Sequence, residues 1–174
     1  MQYALPRSFY LTLFLIFIAA NISVYQTILA PRVLEVTVFE VGKADGKDGA
    51  TLVRAPSGAS ILIDTGSDAS ILRALGMTLP MWQRRIDEII LTSSAARSAG
   101  GLPEVQNRYH VSNVMRIGNL STPYGSLLTF DDVHIEIFAH ATFSISYGAT
   151  SLDISSSTSK GVYTSNGKTI IKTR

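Results

Sequence analysis

The chain has 174 residues, of which 46% are hydrophobic and 16% charged, a balance that excludes an intrinsically disordered protein and fits one modest domain plus an appendage. A formal net charge of +2 is too small to announce a nucleic-acid surface by itself. Cysteine is absent, which excludes a disulfide framework and any thiolate metal site.

The N-terminus is the first informative segment. No side chain from Ser8 to Pro31 carries a charge, and Phe9 to Leu29 reads FYLTLFLIFIAANISVYQTIL. A helix of that length, rising about 1.5 Å per residue, matches a bilayer core of roughly 30 Å. Arg7 and Arg32 bracket it, and Tyr10 and Tyr25 stand near its ends, where aromatic rings favour the interface. The expectation is a single-pass membrane anchor at residues 1–32, with its N-terminus inside and a domain at 33–174 on the extracytoplasmic side. A cleaved signal peptide is the alternative. It would have a shorter apolar region and a better small-x-small site than Ile18-Ala19-Ala20.

Ala30-Pro31 ends the helix. Leu34, Val36 and Val38 then alternate with Glu35 and Thr37, the period of a half-buried strand running to about Val41. Ala50 to Ala55 and Ala59 to Asp64 read as strands joined through Pro56-Ser57-Gly58, so the early strands should pair antiparallel. Ser67 or Asp68 can cap a short helix through Leu75, and Ile86 to Thr92 is a strand whose continuous apolar centre predicts burial on both faces. A polar loop of small residues follows and closes on Gly100-Gly101. Leu102 to Tyr109 predicts a helix and Val111 to Ile117 a strand. The remainder is β-rich: Leu127 to Phe130, Val133 to Phe138, Thr142 to Tyr147, Ser151 to Ile154, Val162-Tyr163 and Thr169 to Lys172, with turn signals at Asp131-Asp132, Tyr147-Gly148 and Asn166-Gly167. The fold class is α+β.

Four segments in order carry a resemblance: Glu40-Val41-Gly42-Lys43-Ala44-Asp45, Leu62-Ile63-Asp64-Thr65-Gly66, Leu79-Pro80-Met81-Trp82-Gln83-Arg84-Arg85-Ile86-Asp87, and Leu91-Thr92 through Gly100-Gly101-Leu102. They resemble the opening of a metallo-β-lactamase fold, and in particular the C-terminal domain of ComEC-type competence proteins, which take part in DNA uptake. That resemblance implies a truncated αββα sandwich after the transmembrane helix. In the family the loop after L-T holds the metal ligands. Here Ser93, Ala95, Arg97 and Ser98 stand at those places, and Ser157 stands where the family has a metal-bridging aspartate.

These departures predict that no metal is held. None of the four loop residues offers the imidazole or carboxylate that a divalent ion needs. A guanidinium about 4 Å from a dication would cost on the order of 8 kcal/mol at an effective dielectric of about 20. That is a large part of the roughly 10–16 kcal/mol available to a zinc site. Without the ion no hydroxide is activated near neutral pH. No cofactor and no catalytic residue are therefore assigned.

Asp64 is either a functional carboxylate at a strand end or a structural acceptor before a glycine turn. Asp45 and Asp48 belong to a turn. His110, His134 and His140 are scattered, His134 on an alternating strand. Trp82 reads as a core or cap aromatic. Arg84, Arg85, Arg97 and Arg108 could share one face of the cleft and attract nucleic acid or another polyanion, with Asp64, Arg97 and Arg108 as the binding candidates. The expected role is a membrane-anchored pseudoenzyme that binds or scaffolds, through nucleic acid, a wall polymer or a membrane protein partner. Two alternatives stand beside it. One is a metal-dependent hydrolase of phosphodiesterase or nuclease type with a metal site held elsewhere. The other is a pilin-like structural subunit, whose pattern wants a glutamate where this chain has Leu13.

Overall fold

In the computed structural model, the described residues are 7–29, 33–42, 49–118, 122–139, 142–155 and 158–173, with the side chains of the first segment described over 8–19. The chain divides into two compact units, Met1–Pro31 and Arg32–Arg174.

The first unit is helix α1, Arg7–Leu29, 23 residues long. Large apolar side chains from Phe9 to Ile18 are exposed along it, Phe17 and Leu15 among them. Among the described residues no helix is long and apolar enough to cross a membrane, so the spanning helix expected from the sequence finds no support here.

The second unit opens with β1, Leu34–Glu40, β2, Gly49–Arg54, and β3, Ser60–Ile63, which pair antiparallel as their spacing predicts. The turn between β2 and β3 closes with the Gly58 N–H donating to the Ala55 carbonyl, and Gly58 takes the positive φ that the turn requires. Helix α2, Ser70–Thr78, runs three residues past the predicted end. Its N-cap is Ala69, while the Asp68 side chain accepts from the Ser70 N–H at 2.9 Å. β4, Arg85–Leu91, pairs parallel with β3, and β5, His110–Arg116, pairs parallel with β4. Between them come a four-residue helix, α3, Ala96–Ala99, and α4, Leu102–Arg108.

The second half supplies β6, Leu127–Phe130, β7, Val133–Ala139, β8, Thr142–Tyr147, and β9, Thr150–Ile154, an antiparallel four-stranded sheet. β10, Gly161–Ser165, and β11, Ile170–Lys172, return to the first sheet, which becomes seven-stranded in the order β11-β10-β1-β2-β3-β4-β5.

Two apolar cores follow from this arrangement. The first lies between the sheets, where Val36, Val53, Ile61 and Ile90 meet Val133, Ile135, Phe143 and Ile145. The second lies between the first sheet and its helices, where Leu52, Leu62, Ile89 and Leu91 meet Ile71 and Leu75 of α2 and Leu102 and Val105 of α4. β4 contributes to both, which is why Ile86 and 89–91 are fully buried, and each such side chain contributes roughly 1.5–3 kcal/mol.

The far face of the second sheet is mostly polar, with Leu127, opposite Glu136, exposed on it. Glu136, Ser144 and Asp153 stand in one cross-strand row, and His134, Ser146 and Ser151 in the next. Strict alternation along β7 buries Val133, Ile135 and Ile137 and turns His134 toward water. Among the described residues of the second unit no helix covers this face. The four-layer sandwich expected from the sequence is therefore corrected to three layers: helices, sheet, sheet.

Candidate functional site

β3 and β4 are adjacent and parallel, with Ile63 opposite Ile90, so the residues just beyond them emerge side by side at their carboxyl ends. In open α/β sheets ligands collect at such ends. Here those residues are Asp64 and Thr92.

Asp64 is 4% exposed and adopts φ 57°, a left-handed conformation that aspartate tolerates better than most residues. Its own N–H donates to the Ile90 carbonyl at 2.8 Å. Its Oδ1 accepts from the Thr92 N–H at 2.8 Å and its Oδ2 from the Thr92 hydroxyl at 2.7 Å. The Ser98 side chain donates to the same carboxyl. Burial is the larger influence and pushes the carboxyl up to about 6, while the bonds from Thr92 and Ser98 offset part of that rise.

The loop that follows is tied down at every turn. Thr65 donates both its N–H and its hydroxyl to the Ser98 carbonyl, at 2.7 and 3.0 Å. The Gly101 N–H donates to the Gly66 carbonyl at 3.0 Å, and the Tyr124 hydroxyl donates to the Thr92 carbonyl at 2.8 Å. The two closing glycines have ordinary negative φ, so close approach rather than conformation requires them. A Cβ on Gly101 would sit 2.5 Å from the Thr65 carbonyl oxygen and 2.7 Å from that of Asp68, and one on Gly100 would meet the Ser67 carbonyl.

The residues at the family's ligand places go different ways. Ser98 is buried beside Asp64, Ser93 is half-buried with its hydroxyl accepting from the Ala95 N–H at 3.0 Å, and Ala95 and Arg97 are exposed. Ser157 lies outside the described residues, as do Asp45, Asp48 and His140. The exposure of Arg97 changes one number. A guanidinium in water repels a dication at about 4 Å by only about 2 kcal/mol. The case against a metal therefore rests on the donors. They do not fit one: a single carboxyl has both oxygens engaged, and the rest are a serine pair, an alanine and an arginine. Among the described residues no three His, Cys, Asp or Glu side chains come together. His110 stands exposed at the start of β5, and His134 stands exposed on β7 with its Nδ1 3.2 Å from the Thr129 hydroxyl.

The arginines separate as well. Arg97 lies beyond the carboxyl end of β4, whereas Arg84 and Arg85 lie at its beginning. Arg108 ends α4 and comes to that same beginning, because the His110 N–H donates to the Arg84 carbonyl at 2.7 Å. Trp82 is corrected from a core or cap aromatic to a side chain 85% exposed. Sequence reasoning missed Thr92 and the buried Glu88, which is covered by the exposed Asn113, whose amide donates to both carboxylate oxygens at 2.9 and 3.1 Å. Burial pushes the Glu88 carboxyl above its usual value, and the amide of Asn113 draws it back in part. The signal for Thr92 was its place as the polar end of an apolar strand.

No family model and no curated protein matches the sequence. The structure neighbours are metallo-β-lactamase-fold proteins. The chain is similar to the Rm3 metallo-β-lactamase, with 16% identity, a TM-score of 0.47, and coverage of 67% of this chain and 57% of that one. A HARLDQ-motif mutant of the Cronobacter sakazakii metallo-β-lactamase gives 16% identity, a TM-score of 0.45, and coverage of 64% and 55%. MEM-A1, a subclass B3 metallo-β-lactamase from a soil metagenome library, gives 13%, 0.44, 60% and 54%. The chain thus spans between 54% and 57% of the length of these neighbours. At TM-scores below 0.5 and identities of 16% or less, the likeness carries no argument about this chain. Neither sequence comparison supports the resemblance to ComEC-type domains.

Proposed function

We propose that this chain is a reduced metallo-β-lactamase-like domain that holds no metal and works as a binding or scaffolding module at a membrane. One observation carries the reading. At the carboxyl ends of β3 and β4, where a catalytic ion would be held, Asp64 has both carboxylate oxygens taken by Thr92, and the following loop is closed by hydrogen bonds and glycine contacts. A hollow filled in this way serves folding, and the loop keeps its shape without an ion. The uncharged run from Ser8 to Pro31 and the exposed apolar side chains of α1 support the membrane part of the reading. DNA uptake rests on the motif resemblance alone.

Ligand linkage tests the reading. An ion bound at a thousand times its dissociation constant would raise the unfolding free energy by about 4 kcal/mol. The full chain, unfolded with and without excess zinc or manganese, should show the same midpoint. A metal-dependent rise of that size would favour the hydrolase alternative instead.

A further inference from the structure

The end of the sheet opposite the candidate site carries the most exposed apolar side chains of the second unit. Met81 is 86% exposed, Trp82 85% and Met77 76%. Their placement is local and rigid. Met81 and Trp82 are the central residues of a β-turn closed by the Gln83 N–H donating to the Pro80 carbonyl at 2.9 Å. Leu79 just before it is 6% exposed and belongs to the helix-side core, so the turn is held from beneath while its tip projects. Met77 lies in the last turn of α2, and Arg73, exposed, is its i−4 neighbour on the same helix face.

Cations frame this tip. Arg84 follows the turn, and the hydrogen bond from His110 N–H to its carbonyl brings Arg108 and His110 to the same end. Arg85 is neutralised by Asp87 at 2.7 Å, and Arg73, Arg84 and Arg108 make no ion pair among the described residues. Of the remaining acids, Glu35 at the start of β1 is paired with Arg54 at 3.6 Å, Glu88 is buried under Asn113, and Glu104 sits in the first turn of α4, away from this end. Asp131 and Asp132 lie at this end too, but beside Pro56 and Ser57 of the β2–β3 turn and near Lys168, so the unpaired arginines stand on the β4–β5 side.

We propose that the Pro80–Gln83 turn is a membrane-docking tip that inserts Trp82, Met81 and Met77 into the headgroup boundary of an anionic bilayer, with Arg73, Arg84 and Arg108 meeting lipid phosphates. The chemistry favours lipid over other partners. Two flexible thioether chains and an indole on a convex tip bury themselves in an acyl boundary without a complementary pocket, and indole is at home at that depth. Direction agrees with this. β1 is antiparallel to β2, β2 to β3, and β3 parallel to β4, so β1 starts at this same end of the sheet, directly after the uncharged apolar segment. The tip does not depend on a spanning helix, but it deepens the membrane role proposed above and rests on that reading for its setting.

Trp82 is the chain's one tryptophan, so its emission reports on this tip alone. The experiment uses the full chain mixed with vesicles of phosphatidylglycerol and phosphatidylcholine, and with phosphatidylcholine alone, followed by flotation. The expected result is flotation with the anionic vesicles, a blue-shifted Trp82 emission, quenching by bromine on the acyl chains and protection from aqueous iodide. Arg84→Gln and Arg108→Gln should each lower the ratio of docked to undocked tip about fivefold. Met81→Asp, at an exposed position, should abolish lipid quenching without changing unfolding. Flotation with Trp82 still open to iodide would overturn the docking tip and leave anchoring intact. Failure to float would overturn both. Quenching of Trp82 by added single-stranded DNA, with none by brominated lipid, would assign the tip to nucleic acid and overturn the lipid proposal.

Discussion

Asp64 holds a proton more tightly in the fold than in the unfolded chain, where it titrates near 3.8 against about 6 in place. Its contribution to stability is therefore fully present below about pH 4 and is lost as the pH rises to about 6, a fall of roughly 3 kcal/mol. Asp64→Asn removes this titration. It tolerates the left-handed backbone, keeps a carbonyl for the Thr92 N–H and can donate to the Thr92 hydroxyl. Asp64→Ala loses both bonds and strains the backbone, at a cost of about 2–4 kcal/mol. Urea unfolding across this pH range should show the wild-type slope and flatter curves for both variants, with Asp64→Ala weaker than the wild type by that amount near pH 4 and by less as the pH rises to 6. Glu88 offers a second check. Asn113→Ala removes the donor amide that covers this carboxyl and opens it to water, so stability near neutral pH should drop by about 1 kcal/mol or less, and nuclear magnetic resonance titration should find the Glu88 carboxyl higher than in the wild type.

At the scale of elements, the strands were largely legible because their signals are local. Alternation in β7, the Pro56-Ser57-Gly58 turn and the apolar centre of β4 each declare themselves within a few residues. α3 was read as loop, since Ala96–Ala99 is too short to show any helical period. The return of β10 to pair with β1 depends on contacts more than a hundred residues apart, which no local pattern encodes. The site was half legible. The sequence identifies Asp64 and the loop, but the partnership with Thr92 and Ser98 arises only when β3 and β4 lie side by side. Trp82 was misread because an aromatic beside proline suits a cap as well as a tip. Gly100-Gly101 has a packing reason of its own: the glycines allow the loop to lie against residues 65–68. Gly101→Ala should cost about 1–3 kcal/mol through overpacking against the Thr65 and Asp68 carbonyls, measured by thermal unfolding.

At the scale of the whole second unit, two cores flank one sheet, and the unit's two ends differ in character. The carboxyl ends of β3 and β4 carry a closed polar knot, and the opposite end carries exposed methionine, tryptophan and arginine. Three layers suffice because the far face of the second sheet is mostly polar, with serine, histidine and acidic side chains at most of the places where a fourth layer would need apolar ones. The central claim is that hydrogen bonds and packing close the loop at 92–101 without any ion. It is tested most directly by elemental analysis of the full chain after exposure to zinc and manganese and dialysis against a weak chelator. The account predicts no retained metal, in the wild type and in Asp64→Ala alike. An equivalent or more of metal retained by the wild type and lost in Asp64→Ala would contradict it.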